Sequence, residues 1–234
     1  MKTENPIYVT EDDLLNRLQT LVGGTLDPTA GIYGPDSMTW RLARHASLFW
    51  GSWRAVLLQL AHPWVANAVC QHSRFQEDPL GRSHRTFQTV FRMTFGDLET
   101  ALRAARGLHR MHAGIQGQLS CPAGHFAAGT HYQANEAHAL FWVHATLVET
   151  TVLLYELTVG PLSTEEKAAY YEESKRTICL FGIPDDIVPP DWNSFLDYNR
   201  NMWASDTLCV GDAARTTADG LFRIRKMPST WLMT

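Results

Sequence analysis

The sequence predicts an all-α protein, folded as a single globular helical domain over residues 1–234. Three observations carry this. Apolar residues recur at three- and four-residue spacing through nearly every ordered stretch. Helix punctuation falls between those stretches, at Gly23-Gly24, Gly96-Asp97, Gly160-Pro161 and Gly182-Ile183-Pro184. No alternating strand pattern of useful length, no internal repeat and no linker interrupts them.

The elements follow in order. Thr10, with Asp13 three residues on, can cap a first helix whose face is Leu14, Leu15, Leu18, Leu21 and Val22. After a turn over 31–35, Asp36 or Ser37 can cap a helix running to about His45. Leu48 to His62 is apolar around most of its circumference, with Trp50, Trp53, Val56, Leu57, Leu60 and Ala61, as a central helix would be. Pro63 either kinks this helix or opens a new one through Cys70. A polar connector, 76–81, precedes helical signal from Arg82 to about Phe95. Asp97 can then cap an Ala-rich helix to about Gly114 or Gly117, and 118–134 reads as a loop. Asn135 is the expected cap of a long apolar helix, Glu136 to about Thr158. Ser163 with Glu166 forms a capping box for a helix to about Phe181. Helical patterns at Trp192–Thr207 and Asp212–Leu221 follow, and the last dozen residues show no clear period.

Composition sets limits. Of 234 residues, 45% are hydrophobic and 19% charged, which supplies a folded core and excludes a largely disordered chain. The net charge of −4, with Lys and Arg scattered, argues against a nucleic-acid partner. Cys70, Cys121, Cys179 and Cys209 show no C-x-x-C spacing and read as free thiols in a reducing compartment. The N-terminal residues lack the apolar stretch of a signal peptide, and apolar runs are broken short of a membrane span. The expectation is a cytoplasmic protein without stable membrane insertion. The 8 Trp leave a homodimer open.

The 10 His supply candidate ligands. His109 and His112 share a helix face and could ligate a metal or haem iron; a helix-surface pair is the alternative. Arg82, Arg85 and Thr86 stand near a helix start and could hold phosphates or propionates, or simply line a solvated turn, with Arg82 pairing with Glu77 or Asp78. His62, before Pro63, and His144, in the long apolar helix, are each either a ligand, a pocket wall or a core histidine. G-x-G-x-x-G, G-x-x-x-x-G-K, H-E-x-x-H and G-x-S-x-G are absent. Glu-x-x-His, the mark of di-iron bundles, is absent too.

The order of landmarks resembles one family. They are Tyr33-Gly34-Pro35-Asp36, Arg54 to Pro63, His72-Ser73-Arg74-Phe75, Asp78-Pro79 and Gly81 to Thr86. Phe95-Gly96, His112 to Gly117, Trp142 to Leu147, Tyr155-Glu156, Gly182-Ile183-Pro184 and Tyr198 to Met202 follow. Over about residues 30–205 the chain resembles the haem-dependent oxygenases that include the latex-clearing (rubber) enzymes and an oxygenase of mycophenolic acid biosynthesis.

The resemblance implies an all-helical fold around haem b. In the family's H-x-x-V/I-x-G motif the histidine is the proximal iron ligand, which here is His112. The distal R-x-x-R/K-T motif falls on Arg82, Arg85 and Thr86; the rubber enzymes carry lysine where this chain has Arg85. Arg82, His62 and Trp142 join His112 as expected cofactor contacts. Trp50, Trp53, Phe87, Trp142 and Leu147 would suit haem and an apolar substrate. The expected activity is oxygenation with dioxygen of a small isoprenoid, lipid or secondary metabolite, since the chain is much shorter than the rubber enzymes and shows no secretion signal. A non-catalytic haem carrier or sensor, with His62 or His84 as sixth ligand, stays open. So do a haem-free helical binding protein and a non-haem metal site built from His109, His112, His138 and His144.

Overall fold

Most helices begin where the sequence offers an acceptor for their free amides. The computed structural model describes residues 6–24, 26–73 and 78–223, and leaves the side chains of residues 47–50, 79, 80, 222 and 223 outside that description. Helix α1 (Glu11–Val22) opens on a reciprocal capping box: the Asp13 amide donates to Thr10 Oγ1 at 3.1 Å, and the Thr10 amide donates to Asp13 at 2.9 Å. Ser37 caps α2 (Met38–Ala43). Helix α3 (Ser47–Leu60) is not kinked by Pro63; it stops, and α4 (Pro63–His72) starts. Proline suits that first position because its missing N–H would have no partner there.

Asp78 caps α5 (Pro79–Phe95) and Asp97 caps α6 (Leu98–Ala113), each accepting an amide three residues on. Helix α7 (Ala137–Thr158) begins one residue later than expected, because Glu136 rather than Asn135 is its cap, accepting from the Ala139 amide at 2.7 Å. Asn135 is committed elsewhere: its side-chain amide donates to the His109 carbonyl at 3.3 Å. Ser163 and Glu166 form the capping box of α8 (Thr164–Phe181), which ends at Gly182 with φ +74. A Cβ there would stand 2.6 Å from Val9 Cγ1, so glycine is required by both conformation and space. Helices α9 (Trp192–Ala204) and α10 (Asp212–Arg223) complete the described chain, and the unpatterned final residues, 224–234, lie outside it.

Two short strands depart from the sequence reading. β1 (Gln116–Gln118) and β2 (His131–Gln133) pair antiparallel inside the stretch read as a loop. Three residues per strand are too few to establish a period of two, and here Tyr132 alone points fully inward. The architecture is nonetheless all-α.

The centre of the core is α7, which packs against α3, α2 and α8. It is 22 residues long and, contrary to the expected broken runs, apolar enough by length and composition to cross a membrane, though 61% of its apolar window is buried inside the protein. α3 runs antiparallel to it. Arg54 donates to Thr150 at 2.6 Å and to Glu149 at 3.0 Å, Gln59 donates to Thr146 at 3.1 Å, and the Trp142 indole donates to the Leu58 carbonyl at 3.1 Å. Two of the sequence landmarks, Arg54–Pro63 and Trp142–Leu147, are thus facing sides of one helix pair. A second core joins Leu14 and Leu18 of α1, Met93 of α5, Ala101 and Ala105 of α6, and Leu180 of α8.

Candidate functional site

Helices α5 and α6 form a hairpin about Gly96-Asp97, and this turn decides which residues meet. Arg82 lies fourteen residues before Gly96 and His112 fifteen after Asp97, so packing the helices antiparallel sets them opposite one another. The turn is braced from outside. The Leu98 amide donates to the Pro28 carbonyl at 2.9 Å, and Gly31, at φ +76, presses so closely that a Cβ would stand 2.1 Å from the Gly96 carbonyl oxygen.

His112 is half-buried near the end of α6. Burial, with His109 and Arg82 nearby, pushes its pKa down to about 4. The imidazole is therefore neutral at physiological pH, the form that binds iron. His109 is buried too, but it looks toward the acidic start of α1, where Glu11 and Asp13 partly offset its burial. The two histidines share a helix but serve different surroundings.

Arg82 is half-buried, and its Nε donates to Ser73 Oγ at 3.2 Å. Burial first, then the neighbouring Arg85 charge, lowers its pKa, and a guanidinium stays charged despite such a shift. It lines a cavity of about 20 Å³ with Val56, Gln59, Leu60, Val65, Val69 and Thr217, room for about one water. Arg85 is exposed and reaches back to the Asp78 carboxylate at 3.2 Å. Thr86 is exposed, and its hydroxyl donates to the Arg82 carbonyl at 3.0 Å.

His62 and Trp142, the other expected cofactor contacts, each have a protein partner. His62 is buried as the N-cap of α4, its Nδ1 accepting from the Trp64 amide at 3.3 Å; burial, with His125 and His138 near, holds it at about 3. Trp142 is sealed in the α3–α7 interface. Trp53 and Leu147 are exposed, Phe87 stacks with Phe91 along α5, and the Trp50 side chain lies outside the described residues, as do Arg74 and Phe75. His84 is exposed and bonded to Gln88 at 2.8 Å. His144 is buried, with burial holding it at about 4, and no hydrogen bond reaches its Nε2. Among the described residues no three of His, Cys, Asp and Glu are placed to hold a metal ion, so His109, His112, His138 and His144 do not gather into a non-haem site.

Sequence reasoning missed Ser73 as the group that positions Arg82, though it lay inside a recognised landmark. It also missed the pairing of Arg82 with His112. The signal for that was present: a glycine-capped turn midway between two amphipathic helices pairs residues equidistant from it.

The donor chemistry suits haem, with a neutral imidazole facing a cation fit for a propionate. Ligand pockets run to about 300–1,000 Å³, larger than the space that Arg82 lines.

Comparison with known proteins adds the following. Two uncharacterised mycobacterial proteins, Mb2261 of Mycobacterium bovis and Rv2237 of Mycobacterium tuberculosis, are each 23% identical to this chain over 177 residues. The match covers 74% of this chain and 66% of each relative, just under two thirds of their length. No solved structure matches. The family model described as "ER-bound oxygenase mpaB/B'/Rubber oxygenase, catalytic domain" matches residues 40–234. That description corrects the cytoplasmic expectation: it names an ER-bound oxygenase, and the absence of a signal-like N-terminal stretch does not place the chain in the cytoplasm. With the match running through both the α3–α7 pair and the α5–α6 hairpin, the chain belongs to the mpaB/B' and rubber-oxygenase catalytic-domain family.

Proposed function

We propose that the protein is a haem b-dependent oxygenase that uses dioxygen on a small apolar substrate of isoprenoid, lipid or secondary-metabolite type. The observation that carries this is His112, neutral and half-buried, set across the hairpin from Arg82 in a chain of this oxygenase family. Bound haem would supply the iron that activates dioxygen. The protein's own groups do the rest. His112 offers an uncharged nitrogen to the iron without first losing a proton. Arg82, oriented by Ser73, presents a fixed positive charge to a propionate or to developing negative charge. Arg85 can exchange Asp78 for a propionate, since an exposed ion pair is worth only about 0–1 kcal/mol. Neither arginine serves as a base. Thr86 has its hydroxyl proton committed to the Arg82 carbonyl, which leaves its oxygen as an acceptor.

The test is an absorption titration of the purified protein with haemin. A Soret band that saturates at one haem per chain is expected, and its absence sinks the proposal. His112→Ala should weaken or abolish that band; an unchanged spectrum moves the iron ligand elsewhere. Oxygen consumption by the loaded protein with olefinic substrates then separates an oxygenase from a carrier.

A further inference from the structure

Three of the four cysteines, distant in sequence, line one cavity of about 220 Å³. Cys70 comes from α4, Cys121 from the loop between β1 and β2, and Cys209 from the segment leading into α10. This cavity lies on the Ala66–Cys70 side of α4, whereas the small space beside Arg82 is lined by Val65 and Val69. Among the described residues no three of His, Cys, Asp and Glu are placed to hold a metal ion.

Two of the three stand on segments already fastened together. The His125 amide donates to the Asp206 carbonyl at 3.2 Å, and His125 Nδ1 lies 3.3 Å from the Asp206 carboxylate. Gly124, at φ +57, lets the loop approach so closely that a Cβ on it would lie 3.4 Å from Cys209 Cβ. The loop three residues beyond Cys121 therefore passes in van der Waals contact with Cys209. Cys209 is held in place, its amide donating to the Ala61 carbonyl at 2.7 Å. Bringing Cys121 up moves only a loop, whereas engaging Cys70 means shifting a helix packed against α10. Cys121 is exposed and Cys209 half-buried.

We propose that Cys121 and Cys209 are an oxidisable thiol pair, converted by hydrogen peroxide or an organic hydroperoxide into a disulfide that ties the β1–β2 loop to the entry of α10. The exposed Cys121, as thiolate, attacks the peroxide: a sulfur–oxygen bond forms, the oxygen–oxygen bond breaks, and the leaving hydroxide or alkoxide takes up a proton to become water or an alcohol. The Cys209 thiolate then attacks the Cys121 sulfenic sulfur, forming the sulfur–sulfur bond and expelling hydroxide, which is protonated to water. Two electrons pass from the two thiols to the peroxide. Cys179 stands outside the pair on α8, where burial pushes its thiol pKa up and slows its oxidation.

The full chain is treated with hydrogen peroxide, its free thiols are titrated after denaturation, and its peptides are mapped without reduction. Titratable thiols should fall from four to two, with one intramolecular cross-link joining the Cys121 and Cys209 peptides. Retention of four thiols overturns the proposal, as does a link that includes Cys70 or Cys179, a link between chains, or sulfinic or sulfonic acid without a link. Cys179→Ser should keep the link, which controls for folding. Cys209→Ser should keep all three remaining thiols out of disulfides and label with dimedone at Cys121; loss of two thiols in that variant also overturns the pairing.

Discussion

Across the α5–α6 hairpin, Arg82 stands near enough to His112 for its charge to help hold the imidazole neutral. The charge acts on the histidine without bonding to it, so its removal has a definite sign. Arg82→Gln should raise the His112 pKa above its value of about 4, followed by NMR titration of the ring. The same variant should weaken haemin binding by roughly ten-fold, the scale of one charge-assisted bond at about 1.5 kcal/mol. An unmoved titration would mean that the two residues do not sense each other.

The turn that pairs these residues depends on Gly31. An added Cβ would collide with the Gly96 carbonyl, and φ +76 disfavours any side chain. Gly31→Ala should cost on the order of 2–3 kcal/mol in chemical denaturation and lower haemin affinity, although Gly31 touches neither Arg82 nor His112. Wild-type stability in the variant would show that the brace yields.

Acid should destabilise the fold well above the carboxylate range. His62, His112 and His144 have folded pKa values of about 3, 4 and 4, below the value of about 6.5 for an unfolded imidazole. Between those limits the unfolded chain binds protons that the native chain refuses. Stability contributed by these groups is complete above about pH 6.5 and falls as pH drops toward 4, by about 1.4 kcal/mol per pH unit for each histidine near pH 5. Urea unfolding at pH 7, 6 and 5 measures it, and a flat profile would contradict the burial of these rings.

Asn135 and Glu136 are neighbours with separable jobs. Glu136→Ala removes the α7 cap and should cost about 0.5–2 kcal/mol with little effect on haemin affinity. Asn135→Ala releases the His109 carbonyl, one turn before His112, and should lower haemin affinity more than it lowers stability. Equal effects from both variants on both measurements would remove the distinction.

Much was written locally. Amphipathic spacing set the helices, and Thr10, Ser37, Asp97, Ser163 and Gly182 marked their ends, because capping needs only a side chain and the amides two or three residues away. The family landmarks were legible for the same reason, as strings of residues in order. What sequence could not supply was the use of each group in three dimensions. Asn135 and Glu136 are both competent caps, and only the approach of the His109 carbonyl assigns Asn135 to another partner. Trp142 and His62 carry side chains suited to a haem wall, but packing on α3 and the break at Pro63 place them in the core. β1 and β2 are too short to leave a pattern and exist because they pair. Helix period is a property of neighbouring residues, so the sequence by itself determined the all-α class and most helix ends. Burial and long-range pairing belong to the folded chain, so only the tertiary structure decided that Asn135 holds the His109 carbonyl and that Trp142 is sealed against α3.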